Sequence, residues 1–441
     1  MEKQARSMSN IVILGAGMAG YGAAKKFKDS NVDALIFEKE NHYGGHCSSY
    51  IFENKWVFDD GPHISFTKHD KVKNLFAQNV NHDFHEFKAK VNNYWKGKWI
   101  THPAQVNLHG LPAEFNTQIL KEMIETSQKE HNSIANYEQW LYASFGKTFA
   151  ENFPMKYTRK FHTTEAKNLT TDWLGPRLYQ PKLEEVIYGM LSPSPSDVHY
   201  VKGFRYPNKG GFVSFMKGIE NTFEINYNSE LVKINLKNKE MTFSDGRKIN
   251  YNYAFSSLPL NKIALMMEDA PKEVIAAAKQ LAWTQCVVVS LGINRPNITD
   301  HHWTYFYDED FQISRISAQS LFSPHTVPTG CSSLQAEIYF SDKYKPLTKS
   351  PEEFIPIVQN ELIKCGILRM NDEILVANAR VSPFAQIIFD HDRKSAVELL
   401  HSFLLENNIL FGGRYADWEY TWSDDAFLAG EASAEKILMK L

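Results

Sequence analysis

The sequence predicts an α/β fold: a Rossmann-like, dinucleotide-binding domain assembled from separate stretches of chain, with an α+β domain inserted between them. Three observations predict it. Residues 11–27 read IVILGAGMAGYGAAKKF, a strand, a glycine-rich turn and a helix in succession. Residues 408–436 hold a further strand, Gly412-Gly413 and a helix of small residues. Between them lie helix-periodic stretches and long β-rich runs with no repeat and no linker. Composition agrees. The 441 residues are 43% apolar and 22% charged, which is ordinary for folded chains and excludes wholesale disorder. A net charge of −3 carries no footprint of a nucleic-acid partner.

Each element follows in order. Ile11 to Leu14 is a short apolar run, as a buried parallel strand requires. Gly15, Gly17 and Gly20 form GxGxxG. The first permits the tight turn, the second lets backbone approach a pyrophosphate, and the third lets helix and strand pack closely. The following helix would point its N-terminus at the phosphates. A second strand, Ala34 to Phe37, ends at Glu38, 18 residues past Gly20, where a carboxylate can hold a ribose hydroxyl pair. No arginine follows to take a 2′-phosphate. The alternative is a Gly-rich turn in an unrelated α/β protein.

In the middle of the chain, 229–235, 241–246 and 253–258 read as three strands with an Asp245-Gly246 turn. Residues 113–190 are helix-rich, 271–281 reads as a helix, and 283–293 and 334–340 as strands of a second sheet. Near the C-terminus, Asp424 and Asp425 precede Ala426-Phe427-Leu428, which opens a helix and would leave its first amides facing whatever lies in front. These boundaries assign 1–105, 206–262 and 395–441 to the dinucleotide domain. Residues 106–205 and 263–394 form the substrate domain, a helical part and a sheet part, with a cleft between the two lobes. Four cysteines without metal-ligand spacing, no apolar run near 20 residues and a polar start point to a reduced, cytoplasmic protein with no membrane span. No metal site is expected: His82, His85, His301, His302 and the Phe389-to-Asp392 run lack further ligands nearby.

The segment after Glu38 carries a resemblance. Glu38-Lys39, then Gly44-Gly45, then FDDGPH at 58–63 resembles the large FAD-dependent superfamily of amine oxidases, protoporphyrinogen oxidases, phytoene desaturases and UDP-galactopyranose mutases. That resemblance implies a glutathione-reductase-type cofactor domain, FAD as cofactor, and backbone laid against the adenine at Val232. It also implies that the helix start at Asp425, Ala426 and Phe427 faces the flavin. Four segments are more similar to the UDP-galactopyranose mutases than to the oxidases: GPHISF at 61–66, DWLGPR at 172–177, HWTYFYDEDFQISR at 302–315 and GRYADWEY at 413–420, with HPAQ at 102–105.

Residue by residue, the mutase resemblance implies that Arg177 and Arg315 clamp a substrate diphosphate, with Tyr305 and Tyr420 bonding the same group. Arg414, beside Gly413, then lies near the flavin, and His63 on the loop stacked by its ring. Gln105 and His162 fall at substrate-binding positions. The implied reaction is an FAD-dependent interconversion of the pyranose and furanose rings of a nucleotide-sugar through N5 of the reduced flavin. The partners are that nucleotide-sugar and a reductant, NAD(P)H or another, with the oligomeric state open. Without the resemblance, Arg177 closes a helix and Arg315 pairs with Asp308 or Asp310 at the surface.

The chain departs from the mutase pattern at three places. His162 stands where the family has tryptophan, a tyrosine expected near 385–387 is absent, and TWS at 421–423 differs. The sugar, nucleotide and reaction therefore stay open at this point. An FAD-dependent oxidoreductase of the amine oxidase or protoporphyrinogen oxidase type is the alternative, and a non-catalytic flavin-binding scaffold the third reading.

Overall fold

The computed structural model describes residues 10–53, 55–129, 133–175, 178–193 and 201–441. Three distant stretches of chain share one parallel sheet. Its strand order is Ile409–Phe411, Tyr253–Ser256, Ile11–Leu14, Leu35–Phe37 and Ile225–Asn226. Ile11–Leu14 lies near the centre with every residue buried, which is why it reads as an unbroken apolar run. Helices Met18–Asp29 and Ser423–Leu438 pack together beside this sheet. The discontinuous cofactor fold is thus built as expected.

Two expectations shift in detail. The Asp245-Gly246 turn is present, with Gly246 at φ +86°. It joins Glu240–Phe243 to Lys248–Asn250, and these complete a small antiparallel sheet with Leu231–Asn235. Tyr253–Ser256 leaves that sheet for the parallel one, pairing with Ile11–Leu14 over four residues. The second shift concerns residues inside the segment 1–105. Val91–Trp95 and Lys98–Thr101 form a hairpin that joins the sheet of the inserted half, because Val91–Trp95 pairs in parallel with Trp303–Phe306.

That inserted sheet has seven strands, in the order Ile374–Ile387, Trp283–Ile293, Ser332–Phe340, Arg315–Ser317, Trp303–Phe306, Val91–Trp95 and Lys98–Thr101. Strand Ser332–Phe340 is buried along its whole length. A glutamate in its middle, Glu337, therefore sits where only a cation or strong donor makes a carboxylate tolerable. Helices Ala113–Ser127, Tyr137–Asn152, Pro154–Phe161 and Leu183–Leu191 form the helical part. Among the described residues no helix is long and apolar enough to cross a membrane.

Candidate active site

A cavity of about 1270 Å³ runs between the parallel sheet and the inserted half. It is built from the glycine turns upward. Gly15 takes φ +98° and donates its N–H to Phe37 O at 2.8 Å, closing the turn after the first strand. Gly17 caps helix Met18–Asp29 without a side-chain acceptor, and no acid sits in the first turn, so its leading amides are left for an anion. Gly44 and Gly45 abut Gly17 backbone to backbone, with the Gly45 Cα 3.8 Å from where a Gly17 Cβ would lie. A Cβ on Gly20 would sit 1.9 Å from Gly15 O, so only glycine lets the helix close over the strand.

Next along the cavity lies Glu38, buried at 6% exposure. Its Oε2 accepts from Ala16 N at 2.8 Å and its Oε1 from Glu40 N at 3.0 Å. Those bonds fix the carboxylate and still leave acceptor sites for a diol. Lys39 lines the rim. Phe37 and Phe243, stacked on each other at 4.0 Å, line the cavity beside Leu231 and give it an aromatic wall suited to a planar base. Val232 falls at a bulge, where Leu231 and Lys233 pair with Phe243 and Thr242 and Val232 with neither. Its side chain is exposed and it is not among the residues that line the cavity, whereas Leu231 beside it is. Uncapped amides, a glycine cradle, a fixed carboxylate and an aromatic wall match the phosphates, ribose and adenine of FAD, so the residues fit that group.

The other end of this half is polar and buried. Asp60 binds His46 Nδ1 at 2.9 Å and pairs with Arg380. Burial raises it, but the His46 bond and the charges of His46 and Arg380 hold it well below the usual carboxylate range. His63 leans on Phe212 and bonds Gly61 O through Nδ1 at 3.1 Å. Arg414 donates from Nε and Nη2 to Thr421 O at 3.0 and 2.7 Å, so it braces the turn before helix Ser423–Leu438 while lining the cavity. Gly413, Ala426 and Asp424 line it as well. Asp425 instead caps the helix by accepting from Trp422 N at 3.1 Å. Phe427 corrects the expectation placed on it: fully buried, it packs edge-on against Tyr21 at 5.4 Å, in the core rather than at the cavity. It is the fifth residue of its helix, and that position faces helix Met18–Asp29.

Across the cavity, Tyr305, Arg315 and Glu337 stand in register on three neighbouring strands. Arg315 donates from Nε to Glu337 Oε2 at 2.5 Å and from Nη2 to Oε1 at 2.9 Å, a bidentate, charge-assisted pair. Neither Asp308 nor Asp310 is its partner: Asp308 accepts from Lys96 N at 2.6 Å and Asp310 pairs with Lys364. Glu337 went unnoticed in the sequence, although a lone acid within LQAEIYF is the signal. His102 lies over Tyr305 at 4.9 Å. Gln105 is pinned by its Nε2 bond to Tyr179 O at 3.0 Å, and Tyr420 meets His162 Nδ1 at 3.3 Å. All of these line the same cavity. Arg177 lies outside the described residues.

Burial keeps two cavity imidazoles neutral. It pushes His63 down to about 4, against the Gly61 carbonyl and Asp60, and His162 down to about 3. The unfolded chain protonates both near 6.5, so between pH 6.5 and 4 it holds the extra protons and folding stability falls as pH drops. Burial acts in the opposite sense on Asp59, pushed up to about 6, and its cost to the fold is relieved as pH falls. The stability of wild type relative to His162→Gln isolates one imidazole. That difference is expected to fall by roughly 1.4 kcal/mol per pH unit below about 6 in denaturant melts. A difference independent of pH would show that the ring is not held neutral.

The family described as flavin containing amine oxidoreductase matches residues 18–438. A dTDP-fucopyranose mutase of Escherichia coli is 24% identical over 171 residues, covering 37% of this chain and 44% of that protein. A chloroplastic/chromoplastic 15-cis-phytoene desaturase of Arabidopsis thaliana is 34% identical over 68 residues, 15% of this chain and 12% of that one. The chain thus spans less than half the length of these curated relatives. Among solved structures, reduced UDP-galactopyranose mutase superposes with a TM-score of 0.92 at 21% identity, covering 98% of this chain and 96% of that one. Wild-type putrescine oxidase bound to putrescine gives 0.66 at 12% identity, covering 98% and 99%. At these identities the superpositions establish the fold.

Proposed function

The chain belongs to the flavin containing amine oxidoreductase family, and within that family we propose that it is an FAD-dependent nucleotide-sugar mutase, interconverting pyranose and furanose forms of a nucleoside-diphosphate sugar. The observation that carries the proposal is the Arg315–Glu337 pair, a fixed guanidinium in the cavity wall in register with Tyr305. An apolar amine or polyene needs no such group, whereas a pyrophosphate taken out of water does. Glu337 occupies Nε and one edge of Nη2, which leaves Nη1 directed away from the carboxylate to receive a phosphate oxygen. Tyr305 and Tyr420 add neutral donors, and the sequence resemblance assigns Arg177, outside the described residues, as a second cation.

When bound in its reduced form, FAD supplies N5 as the nucleophile at the anomeric carbon. The chain's own residues hold the leaving diphosphate in place, keep water out with their aromatic walls and orient the sugar, so their contribution is positioning and electrostatics. The cavity thiols do not compete as nucleophiles: burial pushes Cys47 up to about 12 and Cys286 well above its ordinary value. Asp60 is held between His46 and Arg380 beside the His63 loop.

The test is turnover under defined redox conditions. Dithionite-reduced protein is incubated with UDP-galactose and dTDP-fucose and the ring form of the sugar is followed by chromatography. Ring interconversion by reduced protein alone, with no oxidant consumed, is expected. Bleaching of oxidised flavin by an amine, polyene or tetrapyrrole, with no ring interconversion, would replace this reading with net redox chemistry.

A further inference from the structure

Within the proposed reaction, on which this inference rests, we propose that His162 determines specificity by hydrogen-bonding a hydroxyl of the transferred sugar, with its ring tautomer set by Tyr420. The residue follows helix Pro154–Phe161 directly, and its N–H is locked to Thr158 O at 2.8 Å. The ring is 3% exposed and bounds the cavity between Trp173, 5.1 Å away, and Tyr420. Its neighbours along that wall, Phe161 and Trp173, are aromatic and give a sugar a face but few donors. Nδ1 meets the Tyr420 hydroxyl at 3.3 Å, while no described residue bonds Nε2. No charged group perturbs the ring, and burial alone keeps it neutral. It therefore carries one donor and one acceptor nitrogen.

The Tyr420 hydroxyl has a single proton to give. Donated to Nδ1, it leaves Nε2–H as a donor facing the cavity. Donated to a ligand oxygen such as a phosphate, it turns the hydroxyl into an acceptor for Nδ1–H and leaves Nε2 as a bare acceptor. Engagement of the diphosphate by Tyr420 thus presets Nε2 to accept a hydroxyl proton from the sugar. A site that must bond a hydroxyl rejects an analogue lacking it far more strongly than an apolar pocket could.

The experiment uses the FAD-loaded protein and two ligand pairs, UDP with UDP-galactose and dTDP with dTDP-fucose. For His162→Phe, affinity for UDP and dTDP is expected to stay within about twofold, while at least one nucleotide-sugar loses about ten- to a hundred-fold. His162→Gln, which keeps a polar tip, should recover part of that loss. Independently, ¹⁵N NMR of labelled histidine should show the His162 Nε2 signal move from protonated to unprotonated character when UDP or dTDP is added, and stay put in Tyr420→Phe. Equal losses for diphosphate and nucleotide-sugar, or no loss in either, would overturn the assignment while leaving the proposed function in place. Failure of both diphosphates to bind wild type would overturn that reading and this inference together.

Discussion

Arg315→Ala is expected to weaken binding of a nucleoside diphosphate by ten- to a hundred-fold, about 1.5–3 kcal/mol, the range for a hydrogen bond to a charged group. The wild-type guanidinium reaches the cavity already fixed by two bonds to Glu337, so little rotamer entropy is lost when a phosphate arrives. Truncation has a second consequence. Glu337 is 5% exposed, and without Arg315 its carboxylate stays buried beside Tyr157 and Tyr339 with no cation. Breaking one half of a buried pair typically destabilises by about 3–5 kcal/mol, so the single variant should also melt earlier. Arg315→Met combined with Glu337→Leu removes both charges at similar volume and should regain stability without regaining affinity. Isothermal titration of UDP into wild type, Arg177→Ala, Arg315→Ala and the double variant separates the two effects. Equally weak binding by all four would remove the clamp.

How much of this was legible beforehand depends on the range of the interaction. The cofactor half was readable because its signals are local: the apolar strand, GxGxxG and Glu38 lie within 28 residues. Strand Trp283–Ile293 was likewise plain, since a long β-rich run carries its own evidence. The Arg315–Glu337 pair was not, because cross-strand register is set by how two strands align rather than by spacing, and two nearer aspartates offered a simpler partner. The same reason hid the parallel pairing of Val91–Trp95 with Trp303–Phe306, more than 200 positions apart. Phe427 was misplaced on a smaller scale. The helix start was recognised, but which residue of its second turn meets the neighbouring helix depends on the crossing of two elements that begin 405 residues apart.

That crossing sets the other large effect: Gly430→Val is expected to yield little or no folded, yellow protein. Helices Met18–Asp29 and Ser423–Leu438 touch backbone to backbone through a reciprocal pair of glycines. A Cβ on Gly430 would lie 1.9 Å from Ala19 O, and one on Gly22 would lie 1.9 Å from Phe427 O. Neither obstacle is a side chain that can turn aside, so one helix must move. Overpacking of this kind costs about 1–3 kcal/mol where the surroundings yield and more where they do not. Here the yielding part bounds the cavity, because Ala19 stands in the uncapped first turn of its helix and Ala426 lines the cavity on the opposing one. Separating the helices pulls both away from the ligand, so flavin content and stability should fall together. Gly246→Ala is the contrast: that glycine has φ +86° but nothing within 4 Å, so it should cost only about 1 kcal/mol of backbone strain and retain its flavin. Absorbance at the flavin band per mole of protein, with thermal melts of both variants, decides the matter. A Gly430→Val protein that purifies with stoichiometric flavin and wild-type Tm would show that the helices are not held at this separation.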